Sequence, residues 1–203
     1  MRHRHSTLVL GLALLMGACA EADLPSPLPS ARELAEGPLE AGRYTYAGFT
    51  PRLEVVVGDG WQGLHLLPEF FDVGLETETG FSAVMFHHPS RIFGRPEGGS
   101  ATTPEEAVAL LRQNDGLEVS APRPIEIDGR EGLQVDLVAA ADDTQVLAGT
   151  QPLLGIGPGN DVRLAFFSVS GGVLVIGLVS PPGGMDAWAE TAQPVLESVT
   201  IRE

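Results

Sequence analysis

The stretch 161–201, DVRLAFFSVSGGVLVIGLVSPPGGMDAWAETAQPVLESVTI, decides the fold. Val162–Val169 and Val173–Val179 read as two strands joined by Ser170-Gly171-Gly172. In the first, Val162, Leu164 and Phe166 alternate with Arg163, Ala165 and Phe167. In the second, Val173, Val175 and Val179 alternate with Leu174, Ile176 and Leu178. A strand that is apolar on both faces is covered on both faces, which places this hairpin at the centre of a sheet. Gly171-Gly172 supplies the positive φ angles of a tight turn. Pro181-Pro182 ends the second strand, because proline cannot donate to a ladder. Trp188, Ala192, Val195, Leu196 and Val199 recur at helical spacing, so a helix follows with Trp188 as its anchor. Pro194 removes one backbone bond and crowds the carbonyl of Glu190, which predicts a kink or a break there. Val199-Thr200-Ile201 closes the chain as a last strand.

Working back from this hairpin, Ile125-Glu126-Ile127 and Leu133-Gln134-Val135-Asp136-Leu137 alternate around Asp128-Gly129 and read as strands with one wet face. Thr103-Pro104-Glu105-Glu106 opens a short helix: Thr103 caps, Pro104 takes the first helical position and Glu106 closes a capping box. Leu53–Val57, Phe70–Leu75 and Phe81–His87 read as further strands. Residues 139–159 read as irregular. The fold class expected is α+β, an antiparallel sheet with helices packed on its faces.

The N-terminus reads as an export address. Arg2, His3, Arg4 and His5 precede an apolar core, Leu8 to Met16, that is too short to span a bilayer comfortably. Met16-Gly17-Ala18-Cys19 resembles a bacterial lipobox, with Met16 where leucine is usual. This implies cleavage before Cys19 and lipidation of its sulfur, a stable anchor since each buried methylene contributes about 0.8 kcal/mol. Residues 1–18 are thus expected to be a lipoprotein signal peptide and 19–42, rich in proline, a flexible tether. Residues 43–203 are expected to form one domain. The location implied is the cell envelope, lipid-anchored and extracytoplasmic, or secreted if Cys19 carries no lipid.

Composition narrows the chemistry. There is no lysine, and ten of the twelve arginines follow Cys19 together with all 27 acidic residues, a formal charge of −17. Such a surface repels phosphate backbones, so no nucleic-acid partner is expected. The lone Cys19 allows no intramolecular disulfide and no thiolate zinc cage. Gly155-Ile156-Gly157-Pro158-Gly159 imitates a phosphate loop, but a strand and not a helix follows it. His65, His87 and His88 are the histidines after Cys19 and are the candidate metal ligands. His65 and His87 sit late in strands read as neighbours and could face one another, with Glu69 or Asp72 beside them. His87 and His88 are adjacent and point to opposite faces of a strand, so surface or strand-end histidines explain them better. No metal, cofactor or catalytic residue is therefore expected.

Leu53–Val57 running into Gly60-Trp61, the Thr-Pro-Glu-Glu helix start at 103–106, Ile127-Asp128-Gly129 before Leu133-Gln134-Val135, and Trp188 ten residues before Ser198 occur in a telling order. In that order the chain resembles the bacterial secreted lipoproteins that share the fold of PsbP, the extrinsic photosystem II protein. The resemblance covers residues 43–201 and implies an α/β/α sandwich with a role in binding or assembly. The expectation is a binding module for an unknown protein or small molecule, tethered to the membrane through Cys19, and not an enzyme. The alternatives are a hydrolase-type enzyme with an unrecognised active site and a His-based metal-binding protein.

Overall fold

The computed structural model describes residues 30–78, 80–94, 98–140, 144–150, 152–157 and 159–203. Cys19, the segment 1–29 and Pro158 lie outside the described residues. In chain order the strands of the first half are β1 (Arg32–Glu33), β2 (Gly37–Pro38), β3 (Gly42–Thr45), β4 (Arg52–Val57), β5 (Gln62–Leu67), β6 (Phe70–Thr77), β7 (Gly80–His87) and β8 (Arg91–Ile92). Helix α1 (Pro104–Leu111) leads to β9 (Leu117–Val119), β10 (Arg123–Ile127), β11 (Arg130–Ala139), β12 (Thr144–Ala148) and β13 (Pro152–Ile156). The chain closes with β14 (Asp161–Val169), β15 (Gly172–Ser180), α2 (Met185–Ser198) and β16 (Thr200–Arg202).

The fold class is α+β, as the sequence led us to expect. The β14–β15 hairpin lies inside a nine-stranded sheet ordered β10-β11-β14-β15-β7-β6-β5-β2, with β9 also on β11. Its two faces bury different halves of the same strands. Ala165, Phe167, Leu174, Ile176 and Leu178 join a core with Trp188 and Val195 of α2. Val162, Leu164, Phe166, Val173 and Val175 join a second core with Val108 and Leu111 of α1. The period-two alternation of side chains thus sends one hairpin into two cores. Gly171 stands at φ +88° between the strands, where a side chain would be strained.

α1 starts as its sequence dictates. Thr103 accepts the Glu106 N–H, and the Glu106 carboxylate accepts the Thr103 N–H. α2 is pinned by Trp188, whose indole N–H donates to the Ala83 carbonyl at 3.1 Å and whose ring lies 5.5 Å from that of Trp61. Of the kink or break expected at Pro194, the break does not occur: α2 runs through Pro194 as one helix. Val195, on the same helix, is buried in the core, so packing holds the turn that proline weakens.

Three further expectations are corrected. The sheet is not single: β1, β3, β4 and β16 form a second sheet on the α2 side, so Leu53–Val57 and the C-terminal strand leave the main one. Residues 139–159 are not irregular, since β12 and β13 pair and β8 joins them in a third sheet over the α1 side. Val146, Leu147, Leu154 and Ile156 drive that hairpin into the second core. The part of the tether 19–42 that is described, 30–42, is docked: Leu34 and Leu39 are buried in the α2-side core. β1 pairs with β3 in the second sheet, and β2 pairs with β5 in the main one. The Ala35 carbonyl packs so closely on Gly63 that any side chain there would collide with it.

Candidate functional site

The three histidines do not assemble. β6 lies between β5 and β7, so His65 and His87 are two strands apart and their expected meeting is prevented. The ring of Phe70 intervenes, 6.0 Å from His65 and 4.2 Å from His87. His65 is mostly exposed, and its Nδ1 lies 3.2 Å from each Asp72 oxygen. Its backbone N–H donates to the same carboxylate at 2.8 Å. Burial raises the Asp72 pKa, and the His65 contacts counter it. This is the pairing with Asp72 that the sequence proposed, without a second histidine.

His87 is fully buried, and neither ring nitrogen has a hydrogen-bond partner. Desolvation alone pushes its pKa down to about 3, so the ring is neutral at physiological pH. His88 sits on the turn that follows; burial lowers its pKa while the Glu69 charge opposes this. Glu69 itself accepts the Thr150 N–H at 2.7 Å. Among the described residues no three His, Cys, Asp or Glu side chains gather as a metal site.

An open groove of about 600 Å³ lies elsewhere, between the start of α1 and the β10–β11 hairpin. Pro104, Pro124, Ile125 and Leu133 form apolar walls, and Glu105, Glu126 and Glu131 supply carboxylates. Glu126 and Glu131 are direct cross-strand partners. Like charges in that register repel, and no arginine lines the groove to relieve them. The hydroxyls of the groove are engaged: Thr103 caps α1, and Ser168 donates to the Thr102 carbonyl. β10 is the terminal strand of the main sheet, and Pro124 removes a donor from its edge.

The sequence did not single out this groove. Of the two glutamates the sequence reading placed only Glu126 in a strand, and Glu105 sits in the first turn of α1, where the helix dipole favours a carboxylate. The approach of α1 to the hairpin is a long-range matter that no local pattern reports. A second cleft, about 400 Å³, opens beside the first turns of α2 against Leu75 and Glu78.

No family model matches this sequence, and no curated protein matches it. Among solved structures it is similar to cyanobacterial PsbP (CyanoP) from Synechocystis, at 13% identity and a TM-score of 0.46, over 85% of this chain and 99% of that one. It is similar to LpqN, involved in cell envelope biogenesis of Mycobacterium tuberculosis, at 11% identity and a TM-score of 0.42, over 85% and 93% of the two chains. A protein of Bacteroides thetaiotaomicron matches at 13% identity and a TM-score of 0.45, over 81% of this chain, which spans half the length of that one. A PsbP is thus among the structures this chain resembles, as its motifs led us to expect. The likeness concerns the fold alone.

Proposed function

We propose that the protein is an extracytoplasmic, lipid-anchored binding module whose α1/β10–β11 groove takes a basic, partly apolar segment of a partner protein. The observation that carries this reading is the Glu126–Glu131 pair, two carboxylates set opposite each other beside apolar walls. A cation between them relieves a repulsion that the fold itself leaves in place. The engaged hydroxyls of Thr103 and Ser168 favour binding over nucleophilic catalysis. Pro124 disfavours strand addition, so the partner is held by side chains in the groove and not by a shared ladder. Met16-Gly17-Ala18-Cys19 supports the anchor and the location.

The test is calorimetric titration with a peptide of alternating lysine and leucine, beside one of alternating glutamate and leucine. The basic peptide binds, its affinity falls with added salt, and the double variant Glu126→Arg/Glu131→Arg loses it. Equal binding by wild type and double variant would overturn the assignment of the groove.

A further inference from the structure

We propose that the turn Gly58-Asp59-Gly60 is a site of self-modification, where Asp59 converts to isoaspartate through attack by the backbone nitrogen of Gly60. The site is independent of the α1 groove.

The chain holds three Asp-Gly pairs, at 59–60, 115–116 and 128–129. An aspartyl carboxyl followed by glycine sets an electrophile beside a backbone nitrogen that no side chain shields. Ring closure between them is intramolecular, so its rate depends on how freely the two groups meet. Two of the pairs are tied down. Asp128 Oδ2 accepts the Ile201 N–H at 2.8 Å, which fixes the carboxyl to the C-terminal strand. Asp115 is engaged, and the Gly116 N–H donates to Asn114 Oδ1 at 3.1 Å. The Gly116 carbonyl accepts from the Ala140 N–H and the Thr144 hydroxyl, so that peptide is held on both sides.

Asp59-Gly60 has neither restraint. Gly58, Asp59 and Gly60 are all exposed, in the link between β4 and β5. Among the described residues, nothing hydrogen-bonds to the Asp59 carboxyl or to the Gly60 N–H, and no arginine pairs with Asp59. A side chain at Gly60 would meet nothing nearer than Leu75, at 3.4 Å, so the space round this peptide is open.

The chemistry involves no oxidation or reduction. The Gly60 nitrogen bonds to Asp59 Cγ and a carboxyl C–O bond breaks. The oxygen leaves as water, with the N–H proton and one proton from solvent. Hydrolysis of the five-membered imide restores both the water and the proton. Opening at Cγ regenerates aspartate, whereas opening at the backbone carbonyl leaves the chain running through Cβ and Cγ beside a free α-carboxylate. The link from β4 to β5 is then one carbon longer, two residues ahead of Trp61. Trp61 is buried, its ring lies 5.5 Å from that of Trp188, and its carbonyl accepts the Leu39 N–H. The modified turn therefore abuts the contact that seats the lead-in segment.

The chain is kept at neutral pH and physiological temperature for several weeks, folded or unfolded in guanidinium chloride. Isoaspartate is read by methyl transfer from labelled S-adenosylmethionine with an isoaspartate methyltransferase, and located by peptide mass spectrometry. Endoproteinase Asp-N, which cuts before aspartate and not before isoaspartate, gives a second readout. In the unfolded chain all three pairs gain label. In the folded chain Asp59 gains it several-fold faster than Asp115 or Asp128 and loses its Asp-N cut in step. Asp59→Glu, whose ring would need six members, removes the label with an unchanged melting temperature. Equal label at Asp59 and at Asp115 or Asp128 in the folded chain would overturn the proposal. So would an Asp59 labelled only in the unfolded chain, or undiminished label in Asp59→Glu.

Discussion

The imidazole of His87 lies 4.2 Å from the ring of Phe70 and touches no hydrogen-bonding partner. That relationship sets the acid sensitivity of the fold. The unfolded chain protonates this histidine near pH 6.5 and the folded one only near pH 3. Stability from His87 is therefore complete above pH 6.5 and is lost as pH falls toward 3, by on the order of 4 kcal/mol across that window. The raised Asp72 pKa works in the opposite sense, since the folded carboxyl holds its proton more readily than the unfolded one. In His87→Leu the acid limb of a urea-midpoint profile flattens between pH 6.5 and 4. An acid limb as steep as that of the wild type would mean that other groups govern it.

Leu34 is 3% exposed although it lies in a proline-rich lead-in. Leu34→Ala is expected to cost about 2–4 kcal/mol, the range for a buried leucine. A chain begun at residue 43 should be less stable still. Chemical denaturation of both variants measures this, and a silent truncation would restore the reading of 30–42 as a free tether.

Asp128 stands at φ +53° in the β10–β11 turn, and its Oδ2 accepts the Ile201 N–H at 2.8 Å. It joins that hairpin to the C-terminal strand. Asp128→Ala loses both the hydrogen bond and a residue tolerant of this φ, for a cost of about 1.5–3 kcal/mol. Asp128→Gly keeps the φ and recovers part of that cost. Equal losses in the two variants would show that the backbone angle contributes nothing.

The anchor is tested at Cys19. In a bacterial host with a lipoprotein pathway, the wild-type chain should enter the detergent phase of a Triton X-114 partition and incorporate a labelled fatty acid. Cys19→Ser should stay aqueous and unlabelled. Identical partition of the two would leave the lipobox resemblance without chemistry behind it.

What could be read from the sequence was local. The β14–β15 hairpin declared itself because both of its faces are apolar. Thr103 and Glu106 announced the start of α1 through side chains that bond three positions away, and Asp128-Gly129 announced the two-residue turn between β10 and β11 through its positive φ angles. The β12–β13 hairpin was hidden because irregular register at Gln145–Ala148 breaks its alternation. Leu34 and Leu39, five apart among prolines, fit neither a helical nor a strand period. The separation of His65 from His87 depends on which strands neighbour one another. The groove at Glu126 and Glu131 depends on where α1 docks, and the cleft at Leu75 on where α2 does. Each is decided by packing between distant segments, which residue types alone do not encode.

The seam at residues 30–39 has a mechanical corollary. A tug on the leading end of the chain meets a two-residue parallel ladder to Tyr44 and Thr45 before it reaches anything else described. Next in line is the seated leucine at 34, and then the short β2 rung on β5. Under tension the domain would yield from this corner first, shedding its clamp between two sheets while the hairpin at its centre stays folded.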